Sequence, residues 1–255
     1  MTFACDASPL LRVDALCKSF GGVVATDQVS IDVFPGEMHA VIGPNGAGKT
    51  TLVAQLSGML SSDAGRTYFD GVDISALSAA KRAARGLARS FQITSILPDF
   101  SVLQNVALAV QARSGSSFRF WRPAHSESTI TAQALDFLDG VGLSQRADET
   151  AGNLAHGEQR QLEIAMALAL APKMLLLDEP MAGMGSAESE LMIGYLRGLK
   201  GRYGVLLIEH DMDAVFALAD RISVLVYGRI IARGTPAEIR SDAAVREAYL
   251  GTGDA

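Results

Sequence analysis

The stretch "MHAVIGPNGAGKTTLVAQL", Met38 to Leu56, constrains the fold more than any other part of the chain. The run Met38 to Ile42 feeds straight into glycine, and the residues after Lys49 have helical spacing. Strand, glycine loop, helix is the order in which backbone N–H groups and a helix N-terminus are brought to bear on a phosphate. The octapeptide Gly43, Pro44, Asn45, Gly46, Ala47, Gly48, Lys49, Thr50 matches the phosphate-loop pattern at every fixed position, and Thr51 continues it into the helix. Its glycines let the backbone turn tightly and aim N–H groups at phosphate oxygens. Lys49 is placed to reach the β- and γ-phosphates of a nucleotide, and the Thr50 hydroxyl to hold Mg²⁺. The bland alternative is a glycine-rich turn with no ligand, and the full match in the right context argues against it.

Such a start implies an α/β architecture. Short strands of buried type follow later, "MLLLDE", "GVLLIE" and "ISVLVY", separated by helical stretches. That alternation predicts a mostly parallel sheet with helices on its faces. The N-terminal third reads as strands and turns, with "RTYFDGVDI" as a hairpin turning at Asp70–Gly71. Between Ile93 and His156 the helical segments "VLQNVALAVQA" and "TAQALDFLDGVGL" flank "RSGSSFRFWRPAHSES", expected to be a long polar loop. The expected arrangement is one domain over 1–255, with a nucleotide-binding core at 1–92 and 157–255 and a helical insertion at 93–156.

Three further segments carry chemistry. The strand ending Asp178–Glu179 delivers two carboxylates to the carboxyl edge of the sheet, where ligands of α/β folds bind. Asp178 is the candidate Mg²⁺ partner and Glu179 the candidate base that polarises an attacking water; a solvated acidic strand end is the alternative. One strand later "VLLIEHD" places His210 at a terminus, either as a surface histidine or as a donor to a terminal phosphate. Gln92 ends "SFQ" and has an amide able to reach Mg²⁺ or the water, though alone it would carry no meaning.

The third segment is "NLAHGEQRQLEIAMALAL", where Leu154, Ala155, His156, Gly157 and Glu158 open a second amphipathic helix with a glycine. One nucleotide is already served by the Lys49 loop. Either this is an ordinary helix start, or its phosphate belongs to a partner domain stacked head to tail.

A net charge of -6 without a basic block argues against non-specific nucleic-acid binding. Cys5 and Cys17 are too few for a disulfide scaffold, which favours a reducing, cytoplasmic setting. The N-terminal segment has no secretory-signal pattern. The apolar run Ile164 to Ala171 falls far short of the roughly 18 residues of a membrane span, so any membrane role is expected to come through a partner.

The ordered set Gly43–Thr50, Gln92, "LAHGE", "LLLDEP" and "IEHD" resembles the ATP-binding cassette (ABC) ATPase family over essentially the whole chain. The resemblance implies the P-loop ABC-ATPase fold, with an antiparallel N-terminal β subdomain and an inserted α-helical subdomain. It implies ATP and Mg²⁺ as ligands, a second ABC ATPase subunit in a head-to-tail homo- or heterodimer, and two membrane permease subunits. Phe20 is implied as the aromatic that stacks on adenine; as a residue alone it could equally be core. Ala155 and His156 stand where the family's usual LSGGQ has serine and glycine, and Gly185 where its next loop usually has Asp. "FGG", "RSFQ", "LAHGEQRQLEIA", "LLIEHDM" and the ending "GTPAEIR" through "VREAYLG" are similar to the LivG-type ATPases of branched-chain amino acid importers. That branch implies an ATP-hydrolysing transport subunit, peripheral on the cytoplasmic face of the inner (cell) membrane and served indirectly by a solute-binding protein. A lipopolysaccharide-type exporter ATPase and a non-transport ABC ATPase are the alternatives. The long coiled coils or fused cassettes of the non-transport class are not seen in the sequence.

Overall fold

Three strands decide the architecture, because each is apolar enough to be buried on both faces. Met38–Ile42 (β3), Met174–Asp178 (β7) and Gly204–Ile208 (β8) are buried at every position. This is the signature of strands inside a parallel sheet covered on both sides. The computed structural model describes residues 8–89, 96–113 and 124–250. The chain divides into two compact units: Met1–Arg89, Lys173–Glu179 and Leu199–Ala255 in the first, Ser90–Pro172 and Pro180–Gly198 in the second.

The first unit holds two sheets. Leu11–Phe20 (β1), Val23–Val33 (β2), Ala64–Phe69 (β4) and Val72–Asp73 (β5) form an antiparallel sheet in the order β2-β1-β4-β5. The expected turn at Asp70–Gly71 joins β4 to β5, and both residues have positive φ. Leu87–Arg89 (β6), Arg221–Val226 (β9) and Arg229–Gly234 (β10) complete a six-stranded sheet, β10-β9-β3-β8-β7-β6, in which only β10 runs antiparallel to its neighbour. The helix Lys49–Ser57 (α1) buries Leu52, Val53 and Leu56 in a core shared with Leu11, Ile31, Val41, Leu176 and Leu206. The sheet thus carries β3, β8 and β7 side by side with their carboxyl ends on one edge.

The second unit is helical. Val102–Arg113 (α3, after the short Ala79–Ala84, α2), Ala124–Gly140 (α4) and His156–Ala169 (α5) pack through Val102, Val106, Ala134, Leu138, Leu162, Ala165 and Ala169. Ser186–Leu199 (α6) adds Tyr195 against this cluster. Two expectations are corrected. The polar loop is shorter than its sequence suggested, because Ala124 to Ser128 already belong to α4. The unit also runs past residue 156 to Pro172 and takes in Pro180–Gly198, because the apolar face of α5 packs on α3 and α4. Among the described residues, no helix is long and apolar enough to cross a membrane.

Candidate functional site

Backbone sterics shape the loop that follows β3. A Cβ at Gly43 would sit 2.1 Å from the Leu225 carbonyl oxygen, and one at Gly48, φ +105°, 2.1 Å from that of Ala25. Only glycine passes through either gap. A turn at Tyr227–Gly228 braces the loop from behind: the Gly228 N–H donates to the Ala47 carbonyl at 2.9 Å, and the Asp27 N–H donates to the Gly228 carbonyl at 2.8 Å. Asn45, Gly46 and Thr50 are exposed at the loop's rim, while Pro44 and Thr51 are half-buried. Gly48 has no side chain to cap α1, and the first turn carries no acid. The positive end of the helix is therefore open to an outside anion. Lys49 is 8% exposed and donates from Nζ to the carbonyls of Gly43 at 2.6 Å and Pro44 at 3.1 Å. Burial lowers its pKa, and the carboxylates of Glu179 and Asp178 pull it back up.

Those carboxylates arrive on the neighbouring strands. Asp178, the last residue of β7, is 2% exposed and accepts a hydrogen bond on Oδ2 from Arg89 Nη2 at 3.0 Å. Glu179 follows with φ +49°, a left-handed backbone uncommon outside glycine, and its N–H donates to the Ile208 carbonyl at 2.9 Å. His210 is largely exposed, with Nδ1 3.8 Å from Glu179 Oε1. The first unit thus brings Lys49, Asp178, Glu179 and His210 to one sheet edge. Gln92 lies outside the described residues. Phe20, at the end of β1, is 51% exposed, which removes the core alternative; Lys18 Nζ lies 5.6 Å from its ring centroid. Sequence reasoning passed over Arg89, although "GLAR" is a short strand that ends in a cation. It also passed over Glu209, which is wholly buried and accepts the His210 backbone N–H at 3.1 Å.

The start of α5, in the second unit, is built differently. Ala155 is its N-cap and has no side-chain acceptor. Glu158 Oε2 accepts the Ala155 N–H at 3.0 Å while its Oε1 lies 3.3 Å from Arg146 Nε. Gly157 is buried, and a Cβ there would meet the Glu188 carboxylate at 3.3 Å. Glu188 Oε2 accepts the Gly185 N–H at 3.2 Å, and a Cβ at Gly183 would lie 3.2 Å from the His156 ring. Residues 183–188 therefore wrap the first turn of α5, beside a cavity of about 600 Å³ lined by Arg146, Gly157, Glu158, Glu188 and Tyr195. The Leu154 side chain is 5% exposed and packs within the helical cluster.

The donor set fits a magnesium nucleotide. Mg²⁺ prefers one or two protein oxygens completed by phosphate oxygens and water. Thr50 beside Lys49 and Asp178 at the end of β7 are two residues with oxygens of that kind. Among the described residues no group of three or more His, Cys, Asp or Glu is arranged to hold a metal by itself.

Comparison with known proteins agrees with this geometry. The sequence model of the ABC transporter family matches residues 26–182, and that of the branched-chain amino acid ATP-binding cassette transporter matches residues 229–255. The chain is 36% identical over 250 residues to the high-affinity branched-chain amino acid transport ATP-binding protein BraF of Pseudomonas aeruginosa, covering 95% of this chain and 98% of that one. It is 35% identical over 257 residues to LivG of Escherichia coli, a protein of the same description, covering 96% and 99%. The ADP conformation of an ATP-binding cassette of an ABC transporter superposes with a TM-score of 0.83 at 34% identity, over 96% of this chain and 99% of that one. With its phosphate loop, acidic strand end and helical unit in the family's order, the chain belongs to the ABC transporter family as one of its ATP-hydrolysing cassettes.

Proposed function

We propose that this cassette powers an importer for branched-chain amino acids or related small solutes, paired with a second cassette and two permease subunits at the cytoplasmic face of the cell membrane. The observation that carries the reading is whole-length similarity to relatives named for branched-chain amino acid transport, joined to the match at residues 229–255.

In this reading the N–H groups of Gly43 to Thr50 and the Lys49 ammonium hold the β- and γ-phosphates. Thr50 and Asp178 would hold Mg²⁺, with Gln92 as the further candidate ligand from the sequence. When bound, the metal neutralises charge on the phosphate oxygens. Glu179 orients and polarises the attacking water, and His210 donates to the terminal phosphate. Phe20 stacks on adenine. The first turn of α5, from Ala155 to Glu158, presents its amides to a phosphate carried by the partner cassette. ATP thus favours the closed pair and hydrolysis releases it, which drives the permeases between two states.

The test is uptake of radiolabelled leucine, isoleucine and valine by cells lacking the gene. Uptake is expected to be lost, and restored by the wild-type chain but not by Glu179→Gln. Normal uptake of all three in the deletion strain overturns the importer assignment. ATP hydrolysis by the purified chain is measured separately.

A further inference from the structure

Asp178 is among the most deeply buried carboxylates of the first unit, and an ionised carboxylate is costly to bury without a compensating cation. Arg89 meets that need. It ends β6, the strand beside β7, with a side chain 11% exposed. Its fork is shared: Nη2 donates to Asp178 Oδ2 at 3.0 Å, while Nη1 donates to Ser57 Oγ at 3.2 Å and lies 3.6 Å from Met59 Sδ. Nη2 thus faces the carboxylate while Nη1 is turned toward α1, so the guanidinium is divided between two anchors. Ser57 is the last residue of α1, the helix that Lys49 begins. The arginine therefore has a foothold apart from Asp178 on which it can remain if the carboxylate turns away.

We propose that Arg89 is a placeholder cation: it neutralises Asp178 between nucleotide cycles and yields that carboxylate when the magnesium nucleotide arrives. The inference rests on the reading of Asp178 as a metal partner. It makes Arg89 a positioning residue that sets the Mg²⁺ concentration at which the site fills. A fixed positive charge on a metal-binding carboxylate competes with the metal, so removing it strengthens metal binding. The alternative role, a clamp that merely orients Asp178, has the opposite sign, because loss of the clamp weakens metal binding.

The experiment titrates Mg²⁺ into the purified full-length chain with a fluorescent ADP analogue and reads the half-saturating metal concentration. For Arg89→Gln that concentration is expected to fall roughly tenfold, while Arg89→Lys, which keeps the charge, stays near wild type. Thermal melting in EDTA adds a second readout: Arg89→Gln is expected to melt lower than wild type without metal, and to recover most of the difference with MgADP. A half-saturating concentration that rises or stays constant in Arg89→Gln, with Arg89→Lys folded and binding, overturns the proposal. Asp178→Asn separates the two failures. If it leaves the Mg²⁺ dependence unchanged, the metal-site reading itself is at fault.

Discussion

The glycine-bearing helix starts of α1 and α5 have surroundings that differ in sign. At α1, left-handed Gly48 precedes a first turn without acids, and a buried lysine lies beside the opening. At α5, Glu158 stands in the first turn, Glu188 lies over Gly157, and Ala155 offers no cap. Both helices have the same dipole and the same unmet N–H groups at the start. What differs is the charge the fold supplies nearby. A cation at α1 suits that end to an anion, whereas carboxylates occupy the neighbourhood of α5. The same backbone motif is thus open to an anion in one place and faced by carboxylates in the other.

The largest effect that sharpens the contrast is on turnover. Glu179→Gln keeps size and hydrogen bonding but removes the proposed base. Hydrolysis is expected to fall about 10²–10⁴-fold, roughly 3–5 kcal/mol, with nucleotide affinity retained through Lys49 and the loop amides. Single-turnover hydrolysis beside equilibrium nucleotide binding checks both halves. Loss of binding together with rate would mean that Glu179 helps seat the phosphate, and the α1 site would then be less self-sufficient than its geometry indicates.

Stability comes next. Gly48→Ala places a Cβ against the Ala25 carbonyl in a backbone region that alanine resists. Strain and overpacking together predict a loss of about 2–5 kcal/mol, read as a lower midpoint in urea unfolding. A shift below about 1 kcal/mol would show that the loop relaxes, and that its rigidity is not what sets the phosphate seat.

The α1 start was legible because its constraint is local. Glycine spacing, a lysine and a threonine specify a loop without knowledge of what surrounds it, and β3 and β7 were legible from largely apolar runs. The α5 start was only half legible. Its helix is plain in the sequence, but Glu188 reaches Gly157 from another element, and no short-range pattern announces that contact. Arg89 escaped for the same reason, since its partner is 89 residues away on the adjacent strand. The polar loop was overextended because Ala124–Ser128 reads as polar and broken, while packing of the residues after it carries the helix back through them.

A pH effect tests the strand that feeds the first start. His39, the second residue of β3, is fully buried; its Nδ1 lies 3.1 Å from the Asp32 carbonyl and Nε2 2.8 Å from Ser223 Oγ. Burial lowers its pKa below the ordinary 6.5, Glu37 pulls it partly back, and Arg221 and Arg233 push it down further. The unfolded chain therefore takes up this proton first as pH falls. Stability from neutral His39 is complete above about 6.5 and declines below it until the lowered folded value is reached, with a slope of up to about 1.4 kcal/mol per pH unit. Melting temperatures between pH 7.5 and 5 are expected to fall more steeply for wild type than for His39→Gln. Parallel slopes would remove His39 from the account.

The smallest effect is the most discriminating. Gly157→Ala adds a methyl that would meet the Glu188 carboxylate at 3.3 Å, a contact a flexible side chain relieves by moving a few tenths of an ångström. Alanine within a helix is worth roughly 0.5–1 kcal/mol over glycine, so monomer stability is expected to change by less than about 1 kcal/mol, in contrast to Gly48→Ala. If the α5 start seats a partner's phosphate, the same methyl stands in that space. ATP-dependent association of Glu179→Gln cassettes, measured by size-exclusion chromatography with the natural partner present, is then expected to weaken while the fold and nucleotide affinity stay intact. Association equal to that of Glu179→Gln alone would make the α5 glycine a matter of clearance for Glu188 within its own unit. The two helix starts would then share geometry without sharing chemistry. Glu188→Ala in the same background separates crowding from phosphate contact, because it clears room for the methyl without altering the amides of α5. If Glu188→Ala restores association to Gly157→Ala, the carboxylate transmitted the defect; if it does not, the methyl itself blocks the phosphate.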